Sequence, residues 1–275
     1  MRAGQLRLPA EKLEQLKVLL RRWLPRRSCR RRELESLVGT LHHACCVVRP
    51  GRTFLRRILD LLRIPGARKG HHHVRLNNDF RSDLRWWDTF AAHWNGVAMF
   101  PCVAEPSLSV TTDASGGWGC GGWSETSWFQ YEWPSGAQDK DISFKELFAG
   151  LVAVVVWGRR WKGHRVRWFC DNQAAVFAWN ARFCRDRSMM NLMRCLFFVE
   201  AWFEFETVAA HLPGRENSLA DDLSRNRISA FLSKAQQPDR TPTALPLELP
   251  ELLLNAIGWT SRCWTEHFYA IVTGE

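Results

Sequence analysis

The chain has no Cys-x-x-C pair, no secretory leader pattern, no evident internal repeat and no apolar run of membrane-spanning length. Its nine cysteines are scattered singly apart from Cys45-Cys46, so reduced thiols in an intracellular protein, cytoplasmic or nuclear, are expected. The most apolar stretch, Leu147 to Trp157, is too short to cross a bilayer and is closed by Arg159 and Arg160, so no membrane segment is expected. Acidic residues are scarce at one end: residues 1 to 75 hold half of the 38 Lys and Arg but only five of the 28 acids. With 46% hydrophobic and 24% charged residues the chain can still bury a sizeable core, which excludes wholesale disorder. Its 275 residues suit one medium domain with a smaller one appended.

The net charge of +10 favours a polyanionic partner, nucleic acid first. The excess is N-terminal and includes the run Arg26, Arg27, Arg30, Arg31 and Arg32. Phosphate contact, a solvated helix face or a localisation patch each accounts for such a run.

Apolar periodicity predicts helices over Pro9 to Trp23, Arg32 to about Cys46, Thr53 to Arg63 and Asp79 to His93, with Lys69 to Asn78 as a loop. A domain boundary is expected near residue 100. Beyond it the texture changes to alternation. Strands are expected at Leu108 to Asp113, Trp118 to Trp123 and Trp128 to Trp133, followed by a helix from Ser143 to Trp157 and a strand from Arg165 to Cys170. Helices at Asn172 to Asn180 and Asp186 to Phe203, a strand at Glu204 to Ala209 and a helix at Ser218 to Arg225 complete the order β-β-β-α-β-α-α-β-α. Four prolines between residues 238 and 250 predict a linker leading to a short amphipathic end with Trp259 and Trp264.

Four acids fall at the ends of these elements. Asp113 closes an apolar strand before Ala-Ser-Gly-Gly, a turn that lets a substrate backbone approach; a turn-capping Asp is the alternative. Glu146 lies near the start of an apolar helix, where it can point back to the sheet or simply complement the helix dipole. Asp171 directly follows the strand Val166 to Cys170, a position that is functional in open α/β sheets or caps the next helix. Asp221 lies in a helix reached through a Pro213-Gly214 loop that lets His211 approach the same place. Taken jointly the four are better explained by one site than by independent coincidences. Clustered carboxylates suit Mg²⁺ or Mn²⁺, and two such ions about 3.5 to 4 Å apart support phosphodiester hydrolysis.

The segments Thr111-Thr112-Asp113-Ala114-Ser115, Lys145-Glu146-Leu147, Cys170-Asp171-Asn172 and His211 to Arg225 resemble the ribonuclease H domain of retroelement reverse transcriptases, most closely those of DIRS-type retrotransposons bearing a tyrosine recombinase. Upstream, Leu37-Val38-Gly39-Thr40-Leu41 and Arg49 to Arg57 resemble the thumb and connection that follow the polymerase palm, so the likeness covers most of residues 10 to 230. It implies an α/β fold with a ribonuclease H-like mixed five-stranded sheet flanked by helices, preceded by a small basic helical segment. The implied division is 1–100 as that segment, 101–230 as the nuclease domain and 231–275 as linker and tail. The resemblance further implies that Asp113 bridges two metal ions, that Glu146 and Asp171 hold one and Asp221 the other, and that His211 assists proton transfer or product release. Asp221 is chosen over Asp222 because it follows Asn217 by four residues, as the family's last acid follows its Asn. Ser115, Asn172 and Arg215 are the expected substrate contacts. The implied activity is cleavage of the RNA strand of an RNA–DNA hybrid, with other parts of a retroelement polyprotein as further partners. No Tyr-x-Asp-Asp motif occurs, so polymerase activity is not expected. Gly258-Trp259-Thr260-Ser261 is similar to the start of the recombinase region, without its catalytic core. A non-catalytic nucleic-acid-binding remnant and a nuclease acting on DNA are the competing readings.

His42, His43, Cys45 and Cys46 are too tightly packed along one helix to converge on a tetrahedral zinc ion, and His71 to His73 are expected at a loop tip. The tryptophans between residues 86 and 133 either stack on bases or fill the core.

Overall fold

The computed structural model describes residues 5–63, 73–92, 95–98 and 105–258. The chain divides into two compact units, Met1–Val103 and Ala104–Glu275.

In the first unit, short strands β1 (Gln5–Leu6) and β4 (Val97–Ala98) pair antiparallel. Helix α1 (Ala10–Trp23) buries Leu16, Leu20 and Trp23, and α2 (Arg31–Ala44) buries Leu34, Leu37 and Leu41, both on the spacing that puts residues on one face. The pattern over Thr53 to Arg63 resolves into two pieces, a 3₁₀ helix at Arg49–Leu55 and α3 (Arg56–Leu62). Pro50 at the start of the tighter turn and the Trp87 indole against Gly51 explain the break: a Cβ on Gly51 would come within 2.3 Å of that ring. The expected loop up to Asn78 instead contains a strand, β3 (His73–Arg75), paired antiparallel with β2 (Ser28–Arg30); His71 and His72 lie outside the described residues. The strand forms because Val74 is buried directly opposite the buried Cys29. Helix α4 (Asn78–Phe90) starts where the Asn77 side chain accepts the Phe80 N–H at 2.9 Å.

The second unit is α/β. Its five-stranded mixed sheet has the order β7-β6-β5-β8-β9, a ribonuclease H-like arrangement. Strands β5 (Leu108–Ala114), β6 (Gly119–Ser124) and β7 (Ser127–Glu132) form an antiparallel meander; β8 (Arg165–Cys170) and β9 (Glu206–His211) add parallel to β5. Helix α5 (Ile142–Trp157) packs on β5 and β6 on one side and on α7 (Arg187–Phe203) on the other, which is why it is apolar nearly all round. Its Gly150 makes room for two stacked indoles, Trp168 and Trp179, whose N–H groups donate to Thr112 and Thr207 at 2.8 Å each. Trp179 belongs to α6 (Gln173–Ala181). Trp86, Trp87, Trp128 and Trp133 are also buried, so these rings fill cores. No helix among the described residues is long and apolar enough to cross a membrane.

On the opposite sheet face, α8 (Ser218–Ser224) lies against β6. The approach requires Gly121, where a Cβ would fall 2.2 Å from the Leu223 Cβ. Gly121→Ala is therefore expected to lower stability by about 1–3 kcal/mol through overpacking, measured as a reduced urea midpoint; an unchanged midpoint would contradict the close packing. A further helix, α9 (Ile228–Lys234), buries Phe231 against Trp123, Trp128 and Leu223.

The expected proline-rich linker is docked. Asp239 and Thr243 donate backbone N–H groups to Thr126 and Trp128 at 2.8 and 2.7 Å, and the Trp128 and Trp157 indoles donate to Asp239 and Thr243. The segment thereby covers the exposed edge of β7, an edge that otherwise invites pairing with another chain. It leads into α10 (Leu249–Gly258), which packs on α7. Trp259 and Trp264 lie outside the described residues.

Candidate metal centre and active site

Strand alternation decides which way each acid points. Along β5, Thr112 faces α5, since its hydroxyl meets the Trp168 indole, so Asp113 faces α8. There its Oδ2 accepts the Ser224 hydroxyl at 2.5 Å and its Oδ1 accepts Asn217 Nδ2 at 3.2 Å, the same amide also donating to the Thr112 carbonyl. Glu146 arrives from α5 on the other face. The Asp141 side chain caps that helix through Ser143 N–H, and one turn later Glu146 Oε1 accepts the Ala114 N–H at 3.0 Å while Oε2 accepts the Cys170 thiol at 3.5 Å. Asp171 follows β8 at its carboxyl end, beside β5, and ligand atoms of Glu146, Cys170 and Asp171 lie within 4.8 Å of one another.

The acids thus reach one place from both sheet faces, at the carboxyl ends of β5 and β8. Glu146 does not act as a helix-dipole acid: its carboxylate is buried and bonded to the neighbouring strand. Burial pushes the Asp113 carboxyl up to about 6, with the Ser224 hydrogen bond opposing and the charges of Asp171 and Asp221 adding to the rise. Burial, then the charges of Asp113 and Asp171, raise Glu146 well above the usual carboxylate range. Asp221 therefore belongs to the same electrostatic cluster. Asp222 is not among the charges acting on Asp113 or Glu146: it is buried, and Arg227 Nε at 2.9 Å and Lys234 Nζ at 2.5 Å tie it to α9.

Asp221 has company of its own. Arg225 Nε donates to one oxygen at 2.6 Å and Arg227 to the other. His211 ends β9, opposite Cys170 in register, and its exposed ring places Nε2 3.1 Å from the Asp171 carbonyl oxygen. Gly214, in the loop between His211 and α8, passes so close that its Cβ position lies 3.2 Å from Asp171 Oδ2.

Two of the three expected substrate contacts have internal work. The Ser115 hydroxyl accepts from Trp118 and Gly119 N–H and donates to the Gly119 carbonyl, closing the turn after β5. The Asn172 side chain accepts the Ala175 N–H as the N-cap of α6. Arg215 is exposed, with Glu216 at 3.5 Å. Sequence reasoning did not assign Ser224 or Asn217 as the groups that orient Asp113, nor Lys145, whose buried ammonium donates to the Gly116 and Gln138 carbonyls at 2.7 Å and braces the turn beside the site. A lysine between an acid and a serine-phenylalanine pair carries no sequence mark of burial. His42, His43 and Cys46 are exposed while Cys45 is buried, so these four side chains point apart.

Mg²⁺ or Mn²⁺ fits this donor set. Carboxylate oxygens dominate it, two of them on groups raised by burial and then by neighbouring charges, and the buried Asn217 Oδ1 has no hydrogen-bond donor among the described residues. The Cys170 thiol, kept protonated by burial and by the Glu146 charge, serves as a donor to Glu146. No family model matches the chain, and no curated protein matches it.

Proposed function

We propose that the chain is a metal-dependent ribonuclease H that cuts the RNA strand of RNA–DNA hybrids, derived from the C-terminal part of a retroelement reverse transcriptase and working inside the cell. The observation that carries this reading is the grouping of Asp113, Glu146 and Asp171 from β5, α5 and β8, with Asp221 of α8 adding its charge to Asp113, where burial first and neighbouring charges second raise Asp113 and Glu146 above the normal carboxylate range. Asp113, Glu146, Asp171 and Asp221 would hold one or two Mg²⁺ or Mn²⁺ ions, which supply the activated water and the charge neutralisation that phosphodiester hydrolysis needs. Asn217 and Ser224 fix the Asp113 carboxylate; Glu146 is fixed by the Ala114 amide; His211, at the exposed rim, would assist proton transfer to the leaving oxygen or product release. Arg215, exposed beside Glu216, would meet a phosphate. Incubating the full chain with a labelled hybrid, with and without Mg²⁺, tests the reading: RNA-strand cleavage that disappears with chelator supports it.

One observation favours a second reading. Both oxygens of Asp221 are engaged by arginines, Arg225 and Arg227, which already supply positive charge where an ion would bind. A chain that keeps those pairs would be a non-catalytic nucleic-acid-binding remnant. Salt-sensitive hybrid binding without cleavage at any Mg²⁺ or Mn²⁺ concentration would decide for it.

A further inference from the structure

The arginine-rich segment that the metal site leaves unexplained forms a shaped feature in the first unit. Between α1 and α2 lies a recess of about 660 Å³ whose floor includes Leu19 and Leu37 and whose walls carry Arg22, Arg26, Arg30 and Arg32. Glu33 is the acid that lines it, and that carboxylate is already taken by Arg26 at 2.7 Å and by the Arg30 backbone N–H. Arg22, Arg30 and Arg32 are exposed and form no ion pair among the described residues. Arg26 differs from them: its guanidinium lies 4.5 Å over the Trp23 ring while Glu33 holds its edge, so it is a fixed plane rather than a mobile charge.

We infer that this recess is a binding site for single-stranded nucleic acid, seating a base against the Arg26 plane and the leucine floor while Arg22, Arg30 and Arg32 take the flanking phosphates. Shape selects the occupant. A duplex is a convex rod whose bases are stacked inside it, and it would only skim the rim of a cavity of this size; an unpaired strand can turn a base inward. Stacking on a guanidinium plane and an apolar floor suits any base, and phosphate contacts suit any sequence, so little sequence preference is expected. An acidic membrane surface is the poorer match, because Trp23 and Leu37 of the lining are buried rather than exposed. The inference does not depend on the metal site of the second unit.

The test is fluorescence anisotropy of the full chain with labelled single-stranded RNA and DNA of about a dozen nucleotides, in EDTA so that nothing is cut. The triple variant Arg22→Gln/Arg30→Gln/Arg32→Gln is expected to bind at least about tenfold more weakly, with the log–log salt slope reduced by about 2 for three lost phosphates on a single strand. Ser36→Trp, an exposed position on the lining, plugs the recess without touching charge and is expected to weaken binding severalfold while leaving the salt slope unchanged. Both variants change exposed positions, and wild-type thermal midpoints verify that they fold. Unchanged affinity in the plug variant overturns the inference. So does blunt duplex competing as well as single strand, or phosphatidylserine vesicles showing the same dependence on the three arginines in place of the oligonucleotides.

Discussion

Asp171→Asn is expected to reduce Mg²⁺-dependent cleavage of the RNA strand of a hybrid by at least about a hundredfold, the scale on which one group that stabilises transition-state charge contributes. Of the four acids, it gives the cleanest test. Asp113 is bonded to Ser224 and Asn217, Glu146 to the Ala114 amide and Cys170, and Asp221 to two arginines, so replacing any of those disturbs local structure as well as chemistry. The Asp171 carboxylate accepts no hydrogen bond among the described residues; what the structure uses at this position is the backbone, whose carbonyl meets His211. Asn has nearly the same shape and keeps that carbonyl. The variant should therefore fold with the wild-type thermal midpoint and bind hybrid with similar salt dependence, while the cleavage rate at saturating Mg²⁺ collapses. Wild-type cleavage by a folded Asp171→Asn protein would remove the site assignment. Loss of both folding and cleavage would show instead that Asp171 is structural, through the tight approach of Gly214.

How much of this was legible beforehand follows from which interactions are local. The order of strands and helices in the second unit could be read because each element carries its own periodicity: Val166, Trp168 and Cys170 alternate along β8, and α5 is a continuous apolar run. The strand-end placement of Asp113 and Asp171 was also legible, since it follows from where the apolar alternation stops. What escaped is set by partners distant in sequence. Three residues, His73 to Arg75, look like loop until Cys29 is placed opposite Val74. Helix α9 exists because Phe231 finds Trp123, Trp128 and Leu223, and nothing between residues 228 and 234 announces that pocket. The residues after 236 look like a linker by composition, yet their backbone is held by the open edge of β7. In the site, the identity of the acids was readable but their restraints were not, because Ser224 reaches Asp113 across 111 residues of chain and Arg227 divides itself between Asp221 and Asp222.

Those restraints bear on the stability of the metal-free protein, and Glu146→Gln is expected to weaken its response to pH. Asp113 and Glu146 titrate higher in the folded chain than in the unfolded one, so each contributes stability while it is protonated and loses that contribution as pH rises. For Asp113 the loss runs from its unfolded value of 3.8 up to about 6, a contribution of at most about 3 kcal/mol; Glu146 extends the loss to higher pH. Without divalent ions the wild-type protein should thus be less stable at pH 8 than at pH 5, beyond what the rest of its surface produces. Glu146→Gln removes a buried titratable carboxyl and keeps an oxygen for the Ala114 N–H. At pH 8 in EDTA it should raise the denaturation midpoint above wild type, and at pH 5 the difference should shrink. Mg²⁺ should do for the wild type what the proton does at low pH: adding it at pH 8 is expected to stabilise by an amount that grows with the logarithm of its concentration above Kd. The Gln variant, with one carboxylate fewer, should gain much less. Midpoints of chemical denaturation at two pH values, with and without Mg²⁺, give all four quantities. A wild-type protein indifferent to Mg²⁺ at pH 8, together with a destabilised Gln variant, would mean that the Arg225 and Arg227 charges already neutralise the cluster and that these acids hold the fold together rather than an ion.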